Sequence, residues 1–204
     1  MGLFDDLKRQ AENFIKSSTG TAANSVANAA KSAVGGTAKQ QTVTLSKLPL
    51  DADEMCGMPE FSLSDPYAVA AFAVAALNRY PADREASMAM LNVIKGPEPL
   101  TQREIQFIND RFMDGKDYVT RSYFGGTSPE NDYTPTTPYT VNVTEQSNSR
   151  QNEGYITLYL KSSGGDSIRP VTLRHKPSTG EWFLWQFDSL LMSNRIPKST
   201  DKWA

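Results

Sequence analysis

The chain has 204 residues, of which 39% are hydrophobic, 10% aromatic and 22% charged, with a formal net charge of −2. This is the composition of a folded chain, not of a disordered one, and it excludes the basic field that drives binding to a phosphate backbone, so no nucleic-acid partner is expected. A single cysteine, Cys56, excludes an intramolecular disulfide framework, no apolar run is long enough to span a bilayer, and Asp5 and Asp6 stand where a secretory signal carries positive charge; these features predict a cytoplasmic protein.

Residues 1–16 place Leu3, Phe4, Leu7, Phe14 and Ile15 on one stripe of a 3.6-residue period, which predicts an amphipathic helix. Asp5 and Asp6 near its start and Lys16 near its end complement the helix dipole. So short a helix is marginal in water unless its apolar face docks. Its charges cancel, which lowers affinity for anionic lipid, and Gly2 lacks the Ser or Thr at position six that myristoylation requires. A protein partner or self-association through this helix is therefore the first expectation and membrane contact the second. Residues 17–41 are small or polar and read either as a flexible tether or, over 21–34, as a small-residue helix.

Residues 42–204 read as one α+β domain with a core over about 64–192. Val43 and Leu45 alternate with Thr42 and Thr44 as in a short strand, and an acidic loop, LDADEMCGMPEF, follows. Asp65-Pro66 is a helix start, with Tyr67, Ala70, Ala71, Val74 and Leu77 as its buried stripe. A second helix is expected from Pro81 to Gly96-Pro97, and a third opens at the capping box formed by Thr101 and Glu104 and closes at Gly115. Beyond Asp117 the period changes to two. Strands are predicted at Tyr118–Phe124, around Tyr139–Val143, at Tyr155–Lys161, at Val171–Lys176 and at Glu181–Phe187, with hairpin turns at 163–166 and 177–180. Pro170 must occupy a strand start, an edge or a bulge. The tail from Ser193 reads as irregular and pinned by Ile196 and Trp203. The expected architecture is three helices on a curved antiparallel sheet of four to five strands, preceded by the amphipathic helix and tether. Cone-shaped folds of the nuclear-transport-factor type and cystatin-like folds share this element order, an analogy that carries no function.

From about Ser64 to Ala204 the chain resembles an uncharacterised bacterial domain family of unknown function. The resemblance lies in Asp65-Pro66-Tyr67-Ala68-Val69, Glu104-Ile105-Gln106-Phe107, Arg121-Ser122-Tyr123-Phe124, Arg169-Pro170-Val171-Thr172-Leu173 and Trp182-Phe183-Leu184-Trp185. It implies the domain boundary and transfers no activity.

No motif carries catalysis. His175 is the only histidine, and a triad would need a nucleophile and an orienting acid beside it. Met55, Cys56 and Met58 cluster soft sulfur atoms, but structural zinc needs more Cys or His than the chain has, so no metal and no cofactor is predicted. Asp110, Asp114 and Asp117 fail the calcium-loop pattern, because Phe112 takes a ligand position. The best small-ligand candidates are Arg121, Arg174 and Lys176 with Tyr133, Trp182 and Trp185, and also Arg169 and Tyr139, as a pocket for an anionic or sugar-like ligand; the plainer reading is a solvated sheet face with aromatics in the core. The sequence therefore favours a non-enzymatic binding or assembly protein. A peripheral membrane protein, and a small-ligand binder or enzyme using the sheet concavity, are the alternatives.

Overall fold

The computed structural model describes residues 38–203. The expected amphipathic helix at 1–16, with Leu3, Phe4, Leu7, Phe14 and Ile15, lies outside the described residues, as does the small-residue stretch up to 37. Strand β1, Lys39–Leu45, takes in the last three residues of that stretch and turns Val43 and Leu45 into the core.

The acidic run after β1 folds as a helix, α1 (Ala52–Gly57), where a loop was expected. The acid residues are the reason: the Asp51 side chain accepts the Glu54 N–H at 2.8 Å, and Asp53 and Glu54 fill a first turn that favours negative charge. Helix α2 is Pro66–Arg79, capped by Asp65, which accepts the Tyr67 N–H at 2.9 Å. The sequence pattern gave it a buried stripe, but every residue from Tyr67 to Leu77 is buried. The cause is position. The sheet lies on one side, and helices close the other, so the helix is apolar all round. Its many alanines let those neighbours approach closely.

Helix α3, Arg84–Lys95, starts later than Pro81 suggests, because the cap is Asp83, whose side chain accepts the Ala86 N–H at 3.0 Å. Helix α4, Gln102–Arg111, opens on the predicted reciprocal capping box of Thr101 and Glu104. A 3-10 turn at Met113–Gly115 follows it.

Residues 118–124 do not form the predicted strand. Tyr118–Arg121 is a single helical turn, α5, and only Phe124 makes a bridge, to Val141. Local bonds outcompete the ladder here. The Ser122 hydroxyl donates to the Val119 carbonyl at 2.6 Å, and Arg121 pairs with Asp117 four residues back at 2.9 Å.

Strands β2 (Tyr139–Glu145), β3 (Tyr155–Lys161), β4 (Ile168–Lys176) and β5 (Glu181–Gln186) complete a five-stranded sheet in the order β1-β2-β3-β4-β5, antiparallel throughout. The fold is α+β. One sheet face, with Val141, Val143, Ile156, Leu158, Val171 and Leu173, is fully buried in the core shared with α2. Pro170 pairs with Tyr159 of β3 and lies beyond the last β5 partner, Gln186 opposite Thr172, so no ladder donor is needed from it.

Ile196 and Trp203 do not pin the tail; they are exposed. Polar contacts hold it instead. The Arg195 N–H donates to Gly164 at 2.9 Å, the Tyr133 hydroxyl donates to the Arg195 carbonyl at 2.6 Å, and the Ser199 N–H donates to Asp132 at 3.0 Å.

Candidate functional site

The hollow that gathers charge and aromatic surface lies where the α3–α4 turn meets the β4–β5 hairpin. Gly96 makes this meeting possible. It ends α3 at φ +60°, a backbone that disfavours a side chain, and a Cβ there would run into the Phe183 ring. The turn therefore lies directly against β5. It brings Lys95, Pro97 and Glu98 to one wall of a cleft of about 310 Å³, whose other wall carries Arg174, Lys176 and Trp185. A second hollow, of about 380 Å³, shares Lys95, Glu98 and Trp185 and extends toward Arg103, Glu104 and Asp188.

Strand register sets the chemistry of the cleft. Arg174 pairs with Tyr155 of β3 and with Phe183 of β5. Its guanidinium lies 5.0 Å from the Trp185 ring centre and 5.9 Å from that of Tyr155, and these two rings meet edge to face at 5.8 Å. Arg174 also donates to Glu98 at 3.0 Å, with both side chains about half exposed. An ion pair so exposed contributes about 0–1 kcal/mol, so an incoming anion can displace Glu98 from a guanidinium that the two rings keep oriented.

Beneath, Lys95 donates to Glu104 at 2.8 Å, its side chain only 6% exposed. The other Glu104 oxygen accepts the Thr101 N–H and hydroxyl, both at 2.8 Å. Burial acts to raise the Glu104 carboxyl, but the bonds from Lys95 and Thr101 outweigh it and leave the group below its ordinary value. One carboxylate thus neutralises the buried amine and starts α4. Lys95 and Phe187 add a further contact at 5.9 Å from ring centre to amine.

Of the sequence-predicted ligand set, Arg174, Lys176 and Trp185 meet in this cleft. Trp182 does not line it; it pairs with His175 across the hairpin, its ring 4.5 Å from the imidazole, and packs on the core. Arg121 is engaged with Asp117 on α5. Tyr133 is fully buried, stacked on Tyr118 at 5.6 Å, and burial pushes its hydroxyl up to about 12. Tyr139 packs edge to face on Phe124 at 6.0 Å, and Arg169 is buried against the tail, donating to the Ser193 carbonyl at 3.1 Å. Sequence reasoning missed Lys95, Glu98 and Glu104. The capping box at Thr101 and the Gly96-Pro97 turn were the available signals, since they place Glu104 at the start of α4 within reach of Lys95 at the end of α3.

The other candidates disperse. Met55 and Met58 are buried in the core while Cys56 is exposed, so their sulfur atoms do not converge. Asp110 accepts from Gln106 on its own helix at 2.7 Å. Among the described residues no group of three or more His, Cys, Asp or Glu side chains is placed to hold a metal, and no helix is long and apolar enough to cross a membrane.

An α+β domain with a cationic, aromatic-lined cleft defines a class by shape alone. By sequence, residues 47–198 match the model of a domain of unknown function, DUF6935, and the chain belongs to that family. No curated protein and no solved structure matches it.

Proposed function

We propose that this domain is a non-enzymatic binding module whose cleft takes a small anionic ligand with a flat or apolar body. The observation that carries the reading is Arg174, a half-exposed guanidinium oriented by Trp185 and Tyr155 and held by a single exposed carboxylate. With Lys95 neutralised by Glu104, Arg174 and Lys176 against Glu98 give the cleft a positive balance, and the aromatic wall suits a planar group. A binding role is preferred over catalysis because the ionisable groups are engaged with one another: Lys95 with Glu104, Arg174 with Glu98, and His175 with the Trp182 ring. The fluorescent anion anilinonaphthalene sulfonate supplies both features and serves as the probe. It should bind saturably, and Arg174→Ala or Trp185→Ala should weaken it about tenfold, with Arg121→Ala neutral. Absence of saturable binding, or equal binding by all variants, removes the proposal.

The docking role of residues 1–16, toward a protein partner or a second copy, belongs to the same proposal and is supported by the spacing of Leu3, Phe4, Leu7, Phe14 and Ile15. A cytoplasmic setting belongs to it too, supported by a lone exposed thiol at Cys56.

A further inference from the structure

Among the described residues, nothing pairs with the outer edge of strand β1. The Gly125 N–H donates to the Thr140 carbonyl at 2.9 Å, so Thr140 turns its backbone away from β1. Its register partner Thr44 therefore turns outward, and with it Thr42 and Gln40, because backbone direction alternates along an antiparallel pair. The Ser46 N–H continues this outward row, and Glu60 already takes it at 3.0 Å. Among the described residues, nothing takes the N–H and C=O groups of Gln40, Thr42 and Thr44 on that side.

We propose that β1 pairs antiparallel with β1 of a second copy, about a two-fold axis through Thr42, to join two sheets into one. The free groups are symmetric about that residue. Thr42 would face Thr42 of the other copy and Gln40 would face Thr44, each pair exchanging both of its hydrogen bonds. Every outward N–H of Gln40, Thr42 and Thr44 then meets an outward carbonyl of the same row. The side chains agree with this register. A threonine pair across the axis is favourable, and no like charges oppose one another. Lys39 falls beside Leu45 of the other copy, one residue from the Ser46 that holds the Glu60 carboxylate, so opposite charges approach at both ends. From Gln40 to Thr44 the strand has no proline and no charge to guard the edge. This self-complementarity selects a second copy over the strand of an unrelated protein.

Sedimentation equilibrium of the full chain tests the proposal. The mass should rise with concentration to twice the 22.5 kDa chain. Thr42→Lys sets two like charges across the axis, and Thr42→Pro removes an outward N–H without touching the ladder to β2. Each should weaken self-association at least tenfold while circular dichroism stays unchanged. Thr42→Lys keeps the backbone donor and carries the test if the proline variant misfolds. Concentration-dependent protection of the residue 40, 42 and 44 amides from hydrogen exchange should vanish in the same variant. A wild type that stays monomeric overturns the proposal. So does a dimer that survives Thr42→Lys, or one that is lost in Leu7→Asp and retained in Thr42→Lys.

Discussion

The two edges of the sheet are handled in opposite ways. At β5 the helix layer reaches over. The Trp182 N–H donates to the carbonyl of Leu63, just before α2, at 2.7 Å, and Gly96 of the α3–α4 turn presses on the Phe183 ring, so two segments cover the edge, which becomes the wall of a cleft. At β1 nothing among the described residues closes the row from Gln40 to Thr44. On the two readings proposed above, one sheet serves two kinds of recognition: the covered edge offers side chains held in fixed geometry, and the open one offers backbone groups to another strand.

The comparison breaks most violently at Gly96. Alanine there puts a Cβ into the Phe183 ring and forces a side chain onto a backbone at φ +60°. Overpacking and the backbone penalty together should cost about 2–4 kcal/mol. Urea denaturation measures it, and the same variant should lose the anionic probe because the turn is pushed off β5. A loss below about 1 kcal/mol would mean that Phe183 yields easily and that the β5 edge is not closed by this contact.

Next in size is Glu104→Ala, which leaves the Lys95 amine buried and removes a helix cap. The expected loss is about 2–3 kcal/mol, below the range for a fully buried pair because Glu104 keeps 20% exposure. The pH dependence has a definite sign. The folded Glu104 carboxyl lies below its ordinary value, so its stabilisation is fully present above the unfolded value and is lost as pH falls through the folded one. In acid titrations, wild type should therefore lose stability below the ordinary carboxylate range, and Glu104→Gln should flatten that part of the curve. An unchanged acid limb would show that the Lys95–Glu104 bond contributes nothing there.

How much of this was legible follows from distance along the chain. Asp65-Pro66, the Thr101 and Glu104 box and Gly96-Pro97 are signals within a few residues, and each marks an observed helix end. Arg174, Lys176 and Trp185 were found together because they occupy one hairpin. Trp182 could have been set aside by parity, since strand residues an odd number apart face opposite sides. Residues 118–124 alternate like a strand, yet Ser122 and Arg121 find partners within their own turn, which composition does not reveal. Lys95 and Glu104 arrive from the helix layer, and only the packing of α3 on β5, with Glu104 bonded to Lys95, brings them to the same cleft as Arg174.

At the cleft itself, Arg174→Ala sharpens the comparison by separating binding from stability. Its ion pair with Glu98 is half exposed, so unfolding free energy should shift by no more than about 1 kcal/mol while the probe is weakened about tenfold. A stability loss beyond about 2 kcal/mol would make Arg174 a structural residue that holds Trp185 and Tyr155 in place.

The smallest expected effect is at the bare edge, and its smallness is the point. Thr42 is exposed, and its hydroxyl makes one exposed bond, to Asn142 at 2.7 Å. Lysine keeps the backbone donor and acceptor and has room outside the sheet. At concentrations where the chain is monomeric, Thr42→Lys should therefore change unfolding free energy by no more than about 0.5 kcal/mol. The corresponding change on the closed edge, Phe183→Lys, should cost about 2 kcal/mol or more, since it places a charge beneath Gly96. If the two substitutions proved equally costly in the monomer, β1 would be covered in solution as β5 is. The proposed contrast between an edge that holds a small ligand and an edge that takes a strand would then collapse.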